Sequence, residues 1–350
     1  MTTSVDPPAV RGEQAVAAGM GPDRSGRGGR RRGRRGRDEH QMVPDATFTS
    51  YYGRPIVKAS PWEADIPAYL FMGGLAAGSS LLAAGADLTG RPGLRRAGRV
   101  TAAAALTGSL AALVHDLGQP ARFLNMLRML KVTSPMSVGT WIVSTYAPLA
   151  YAAAADELPS SLLPAPLSGL IELAGRPAGL VAALIAPAVG SYTGVLLADT
   201  ATPTWNAARQ HLPFLFAASA AVAGSGMGML AAPVADAGPA RRLALAAATA
   251  DLAIGQHMET TMGLAAEPLH DGRAGQLMTA ARWLTAAGAL GSLFSRRSRA
   301  VAAVSGLALL SGSACLRFGI FEAGQASARD PKYTITPQRD RMCAEGRPGA

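Results

Sequence analysis

Cysteine, aromatic residues and acid are all scarce in this chain. Its 350 residues include 2 Cys, 4 Trp, 7 Tyr and 8 Phe, and 23 Asp and Glu stand against 33 Lys and Arg. Two cysteines, Cys315 in an apolar stretch and Cys343 near the C-terminus, cannot ligate an iron–sulfur cluster or a zinc ion, which need about four clustered ligands. Any metal redox centre must then lie in a partner. Charge as a whole is low: 16% of residues are charged, where soluble domains carry roughly 25%. Few charges, 40 Gly and a 49% hydrophobic share rich in Ala and Leu suit a polytopic membrane protein whose helices meet through small residues. Residues 1–60 also lack the apolar core of a signal peptide, so the first membrane helix is expected to do the targeting.

What is present divides the chain into three. Residues 1–47 are expected to be a disordered basic tail, because their Gly/Arg composition cannot repay the entropy of ordering. Eight Arg fall between Arg24 and Arg37, so much of the net charge of +10 belongs to this tail. It does not describe a nucleic-acid surface on a folded domain, and no nucleic-acid partner is expected. Residues 48–325 form the transmembrane domain, and 326–350 a polar C-terminal tail.

The fold class is all-α, a polytopic integral membrane bundle of about eight transmembrane helices. Ile66 to Ala86 carries no charge and is long enough for a hydrocarbon core of about 30 Å. A second helix is expected from Ala97 to Val114 after an Arg91–Arg99 loop. The third runs from Met136 to Ala155, the fourth from Pro177 to Ala198 after a surface stretch over 156–176, and the fifth from His211 to Val234. Three less apolar helices follow: Leu243–Met262, Ala274–Phe294 and Ala300–Phe321. Gly74-Leu-Ala-Ala-Gly78 and Gly224-Ser-Gly-Met-Gly228 have the spacing that lets helices touch closely.

His115-Asp116-Leu117-Gly118-Gln119-Pro120 ends the second helix, since Gly closes helices and Pro cannot continue them. With eight crossings both termini share a face, and even-numbered helices end there. Glu63, Asp65 and Tyr69, then His115 and Asp116, Asp199 and Trp205, His257 and Glu259, and Arg317 and Glu322 all fall on that face. The opposite loops hold arginines but no His, and Asp87 and Asp236 as their acids. Such a gathering predicts a polar pocket open toward a docked partner.

Five blocks together resemble the NrfD/PsrC family of integral membrane subunits of polysulfide-reductase-type molybdoenzyme complexes. They are Trp62–Gly78, HDLGQPARF at His115–Phe123, SPMSVGTW at Ser134–Trp141, Tyr192–Trp205 and Leu316–Pro331. The resemblance implies a bundle without haem or iron–sulfur cluster that holds a quinone, menaquinone or ubiquinone, as an exchangeable ligand. It also implies partners: a ferredoxin-like 4Fe-4S subunit connected to a molybdopterin catalytic subunit, in the plasma membrane.

Quinone chemistry moves protons with electrons, so the site needs hydrogen-bond partners and a group titrating near neutrality. The expected quinone-binding residues are Tyr69, His115, Asp116 and Tyr192, with His115 the titrating group and none of them assigned covalent catalysis. Asp251, His257 and Glu259 are the candidate proton pathway, Asp251 and Glu259 lying within roughly 80° of each other on one helix; a buried carboxylate paired with Arg282 or Arg317 is the alternative. Arg122, Arg128 and Arg317 are placed at the partner interface, and Trp141 and Trp205 as interfacial anchors. Two other classes stay open: a secondary transporter, and the haem b membrane anchor of a formate dehydrogenase. The Arg-rich tail argues for cytoplasmic termini under the positive-inside rule, while the short loops opposite, with Arg91, Arg95, Arg96, Arg99, Arg241, Arg242, Arg296, Arg297 and Arg299, argue the reverse.

Overall fold

The computed structural model describes residues 55–117, 125, 127–128, 130–159, 161 and 164–344. The basic tail, Arg122 with Gly118–Phe123, Met126 and Met129 lie outside them. Among the described residues there is no strand. Eight long helices follow in chain order: α1 (Asp65–Leu88), α2 (Pro92–Asp116), α3 (Pro135–Ala155), α4 (Ala165–Ala198), α5 (Leu212–Ala231), α6 (Gly238–Thr261), α7 (Gly272–Phe294) and α8 (Arg299–Arg329). A helical turn at Pro203–Ala207 and a 3₁₀ segment at Gly263–Leu269 link them, and α9 (Lys332–Ala344) closes the described chain. Five of the long helices, α1, α2, α4, α5 and α8, are both long and apolar enough to cross a bilayer. The protein is a multi-pass membrane protein. The third helix forms as expected, yet Trp141, Tyr146, Tyr151 and its Thr residues keep α3 below that threshold of hydropathy.

Several boundaries differ from expectation, each for a physical reason. Helix α2 starts at Pro92, not near Ala97, because proline suits the first helical position and the arginines that follow find acids. Arg95 meets Glu157 at 2.7 Å and Asp87 at 3.4 Å, and the buried Arg99 meets Asp156 at 2.7 Å and Glu157 at 3.0 Å. Asp156 and Glu157 are thus two further acids at the end of the bundle that holds the α1–α2 turn. Helix α4 begins at Ala165 and runs through Pro177 and Pro187, absorbing half of what read as a surface stretch. At the other end of the chain α8 continues to Arg329, and the expected polar tail is largely helical. Arg99→Met should cost about 3 kcal/mol, because Glu157, 6% exposed, would be left buried beside one cation fewer. Unfolding in a denaturing detergent series measures it; an unchanged midpoint would mean the pair is dispensable.

The centre of the bundle is α5, whose sequence LPFLFAASAAVAGSGMGMLA is apolar all round, as a helix surrounded by others must be. It packs against α1, α4, α6 and α8, while α1 lies along α2, α3 along α4 and α7 along α8. Close approach rests on glycine. A Cβ on Gly78 would stand 2.0 Å from the carbonyl oxygen of Ala220, and one on Gly226 would stand 2.7 Å from that of Gly306. Within a bilayer, where lipid gives no hydrophobic drive to association, such backbone proximity supplies the dispersion contacts that hold helices together.

Candidate functional site

The segment that leads into α1 and the last turns of α8 share an end of the bundle: Gln325 Nε2, on α8, donates to the carbonyls of Ser60 (3.0 Å) and Trp62 (3.2 Å). At this end stands a cleft between α1, α2, α3 and α4, enclosing with its mouth about 670 Å³. Ile66, Leu110, Leu113, Val143 and Leu196 make its walls, and Trp62, Tyr69, Asp116, Thr140 and Tyr192 supply the polar atoms. That mixture, mostly apolar with a few convergent polar groups, is the character of a small-molecule site.

Three of the four residues expected at a quinone line this cleft: Tyr69, Asp116 and Tyr192. The hydroxyls of Tyr69 and Tyr192, from α1 and α4, are bonded to each other. Whichever donates in that bond leaves the other's proton free for a ligand. Their rings are buried, and Gly139 on α3 is the reason Tyr192 fits, since a Cβ there would lie 2.4 Å from its ring. Asp116, half-buried in the last turn of α2, is the carboxylate at the cleft.

His115 does not line the cleft. A helix separates neighbours by about 100°, so when Asp116 turns inward His115 turns out. Its side chain is 80% exposed, and Nδ1 bonds Asp65 Oδ2 at 2.7 Å. The acid at the opening of α1 therefore has a definite partner.

Other titratable groups lie away from the cleft in separate small sets, so the single pocket read from the sequence is not formed. His211 and His257 stand edge to face, with ring centres 5.1 Å apart. Buried Glu259 bonds Arg282 and has His270 Nε2 at 3.7 Å. Asp251, 5% exposed, is one of three proton-path candidates, none of which touches the cleft. An aromatic stack runs from the cleft's Trp62, Trp62 to Trp205 at 6.1 Å and Trp205 to Phe321 at 5.7 Å.

Two expectations are corrected here. Trp205 is no interfacial anchor: it is 1% exposed, and its Nε1 donates to Ile320 O at 2.8 Å. Arg317 cannot touch a partner subunit, because it is 1% exposed inside the bundle. Its Nη2 donates to Phe216 O at 2.7 Å, and the guanidinium lies 3.7 Å above the Phe216 ring. Gly74 makes that burial possible, since a Cβ there would be 3.1 Å from Nη2. Trp141, 40% exposed, and the exposed Arg128 remain on the surface.

The family model described as "Polysulphide reductase, NrfD" matches residues 56–246, more than half of the chain. The chain belongs to the NrfD family. A relative is the C subunit of polysulfide reductase from Wolinella succinogenes, 32% identical over 178 residues, 47% of this chain and 55% of the relative. The chain spans about half the length of the curated relative it matches. The matched region of this NrfD protein holds α1 to α5 and all of the cleft's named side chains, while the Glu259 cluster lies beyond it.

Trp62 and Gly139 were missed as site residues by reasoning from the sequence. Trp62 reads as a headgroup anchor before the first helix, and nothing local marks Gly139 as the seat of a ring from another helix. A valine at Gly139 would push the Tyr192 ring from its place. We expect Gly139→Val to weaken ligand binding in the cleft roughly tenfold, with protein yield unchanged; unaltered binding would show that Tyr192 need not sit there.

Proposed function

We propose that this NrfD protein is the membrane anchor and quinone- or quinol-binding subunit of a molybdopterin oxidoreductase complex. It exchanges electrons between the quinone pool and a ferredoxin-like 4Fe-4S subunit docked at the end of the bundle that holds the cleft. The observation that carries this reading is the cleft: apolar walls that suit a flat ring and its prenyl tail, closed by two hydroxyls and a carboxylate. Quinone supplies two-electron, two-proton chemistry when bound. The chain's own contribution is to accept and orient the ring. Tyr69 or Tyr192 donates to one carbonyl oxygen, and Asp116 takes or returns a proton at the other. His115 with Asp65, at the exposed edge beside Asp116, passes that proton to water.

Asp251, Glu259 and His257 form the proposed route for protons away from the docking end. Asp251 and Glu259 are both buried on α6, and Asp251 lies close enough to Arg317 to feel its charge. Arg128 and Arg122 are assigned to the docked partner, and the plasma membrane is the proposed location.

The test is to purify the complex from membranes, identify its subunits, and irradiate it with a photoreactive quinone analogue. Labelled peptides from α1 and α4 containing Tyr69 and Tyr192, suppressed by excess menaquinone or ubiquinone, are expected. Labelling only of lipid-facing peptides, unaffected by excess quinone, would refute the site. A haem absorption band in the purified chain, or solute uptake by proteoliposomes lacking redox partners, would refute the class.

A further inference from the structure

At the end of the bundle away from the cleft, arginines outnumber the acids available to them. Arg95, Arg99 and Arg176 meet Asp87, Asp156 and Glu157. Arg299 caps the C-terminus of α5, donating from Nη1 to the carbonyls of Met229 (3.2 Å) and Ala232 (2.6 Å). Four others, Arg91, Arg241, Arg242 and Arg296, line an open hollow between the α1–α2, α5–α6 and α7–α8 turns. Among the described residues no carboxylate pairs with any of them. Asp236, the acid of the α5–α6 turn, instead accepts from the Gly93 N–H at 2.9 Å.

Two of these guanidiniums are held in place. Arg91 Nη1 donates to Ala235 O at 3.2 Å, and Arg241 Nη1 to Val234 O at 3.0 Å. A Cβ built on Gly238 would lie 3.5 Å from Arg91 Nη1 and 3.7 Å from Arg241 Nη2, so both cations converge over the first residue of α6. That helix start has no side-chain cap and no acid in its first turn, leaving the N–H groups of Gly238 and Ala240 without a side-chain acceptor. Arg91 Nε is buried and has no hydrogen-bond partner in the protein. Four like charges around one hollow, two of them fixed over an uncapped helix start, call for an anion, and the planar guanidinium fork favours the oxygens of phosphate.

We propose that this hollow binds the phosphate group of an anionic phospholipid. Its position supports a lipid rather than a free ion: Leu290, Leu293 and Phe294, 61%, 55% and 71% exposed, occupy the last turns of α7 just before Arg296 and offer an apolar surface to the acyl chains. Basic hollows between membrane helices are suited to acidic headgroups on these grounds. The site is independent of the quinone cleft, and either assignment stands if the other fails.

The protein, purified in neutral detergent, is to be unfolded by heat with phosphatidylglycerol, phosphatidylcholine or inorganic phosphate at matched concentrations, and retained lipid counted by native mass spectrometry. Phosphatidylglycerol should raise Tm and stay bound, while phosphatidylcholine and phosphate should not. Each arginine removed should weaken binding roughly fivefold, so R241Q/R296Q should bind roughly 25-fold less tightly. Without lipid that double variant should unfold no earlier than wild type, since losing like charges relieves repulsion; this separates lost binding from misfolding. Arg297→Gln, in the same turn but outside the hollow, should bind as wild type. Equal stabilisation by both lipids, or undiminished phosphatidylglycerol binding by R241Q/R296Q, would overturn the proposal. Equal stabilisation by inorganic phosphate would overturn the lipid as its occupant.

Discussion

Replacing Gly78 with valine should leave almost no folded protein in the membrane. A Cβ at that position would lie 2.0 Å from Ala220 O, 2.8 Å from Ala220 C and 3.2 Å from Gly224 Cα. All three are backbone atoms of α5, which cannot rotate aside as a side chain can. Relief requires α5 to move away from α1, and α5 also packs on α4, α6 and α8. The expected cost is more than about 4 kcal/mol, in the range reserved for disrupted cores. The measurement is the yield of monodisperse protein by size exclusion after mild detergent extraction. Gly85→Val is the control, because nothing lies within 4 Å of a Cβ on Gly85 in the same helix. Wild-type yields from both variants would show that the α1–α5 contact is not what holds the bundle.

The second large effect falls on turnover. Asp116→Asn keeps the shape of the cleft's carboxylate and removes its ability to carry a proton. Quinone-linked activity of the complex should fall on the order of 100-fold, the usual worth of a positioned acid or base. Reduction of an artificial dye by the catalytic subunit should persist, since that path bypasses the cleft. His115→Ala should lower quinone turnover less, by roughly tenfold, because that imidazole is 80% exposed and water can replace part of its relay. Full quinone turnover in Asp116→Asn would remove the cleft from the mechanism. A larger loss in His115→Ala than in Asp116→Asn would return the leading role to the imidazole.

Much of this was legible before any coordinate. The uncharged run Ile66–Ala86, the glycine pairs and the helix stop after Asp116 are local properties, and the helices formed where apolar composition and terminators placed them. Helix edges were misread where charge was mistaken for a loop: Arg95 and Arg99 continue α2 because the acids just past the C-terminal end of α3 neutralise them. Proline misled likewise at Pro177, inside α4.

The sequence alone determined the class of molecule, most of the helical segments and which titratable groups stand near helix ends, because these follow from composition and spacing. Tertiary structure alone decided which of them share a cavity. Asp116 faces the cleft and His115 the water, Arg317 is inside the bundle and not on its surface, and Arg241 and Arg296 lack the acids that Arg95 and Arg99 find. The reason is rotational. A step of one residue turns a side chain by about 100°, so neighbours in the chain meet different surroundings, and only the packing of the other helices settles which surroundings those are.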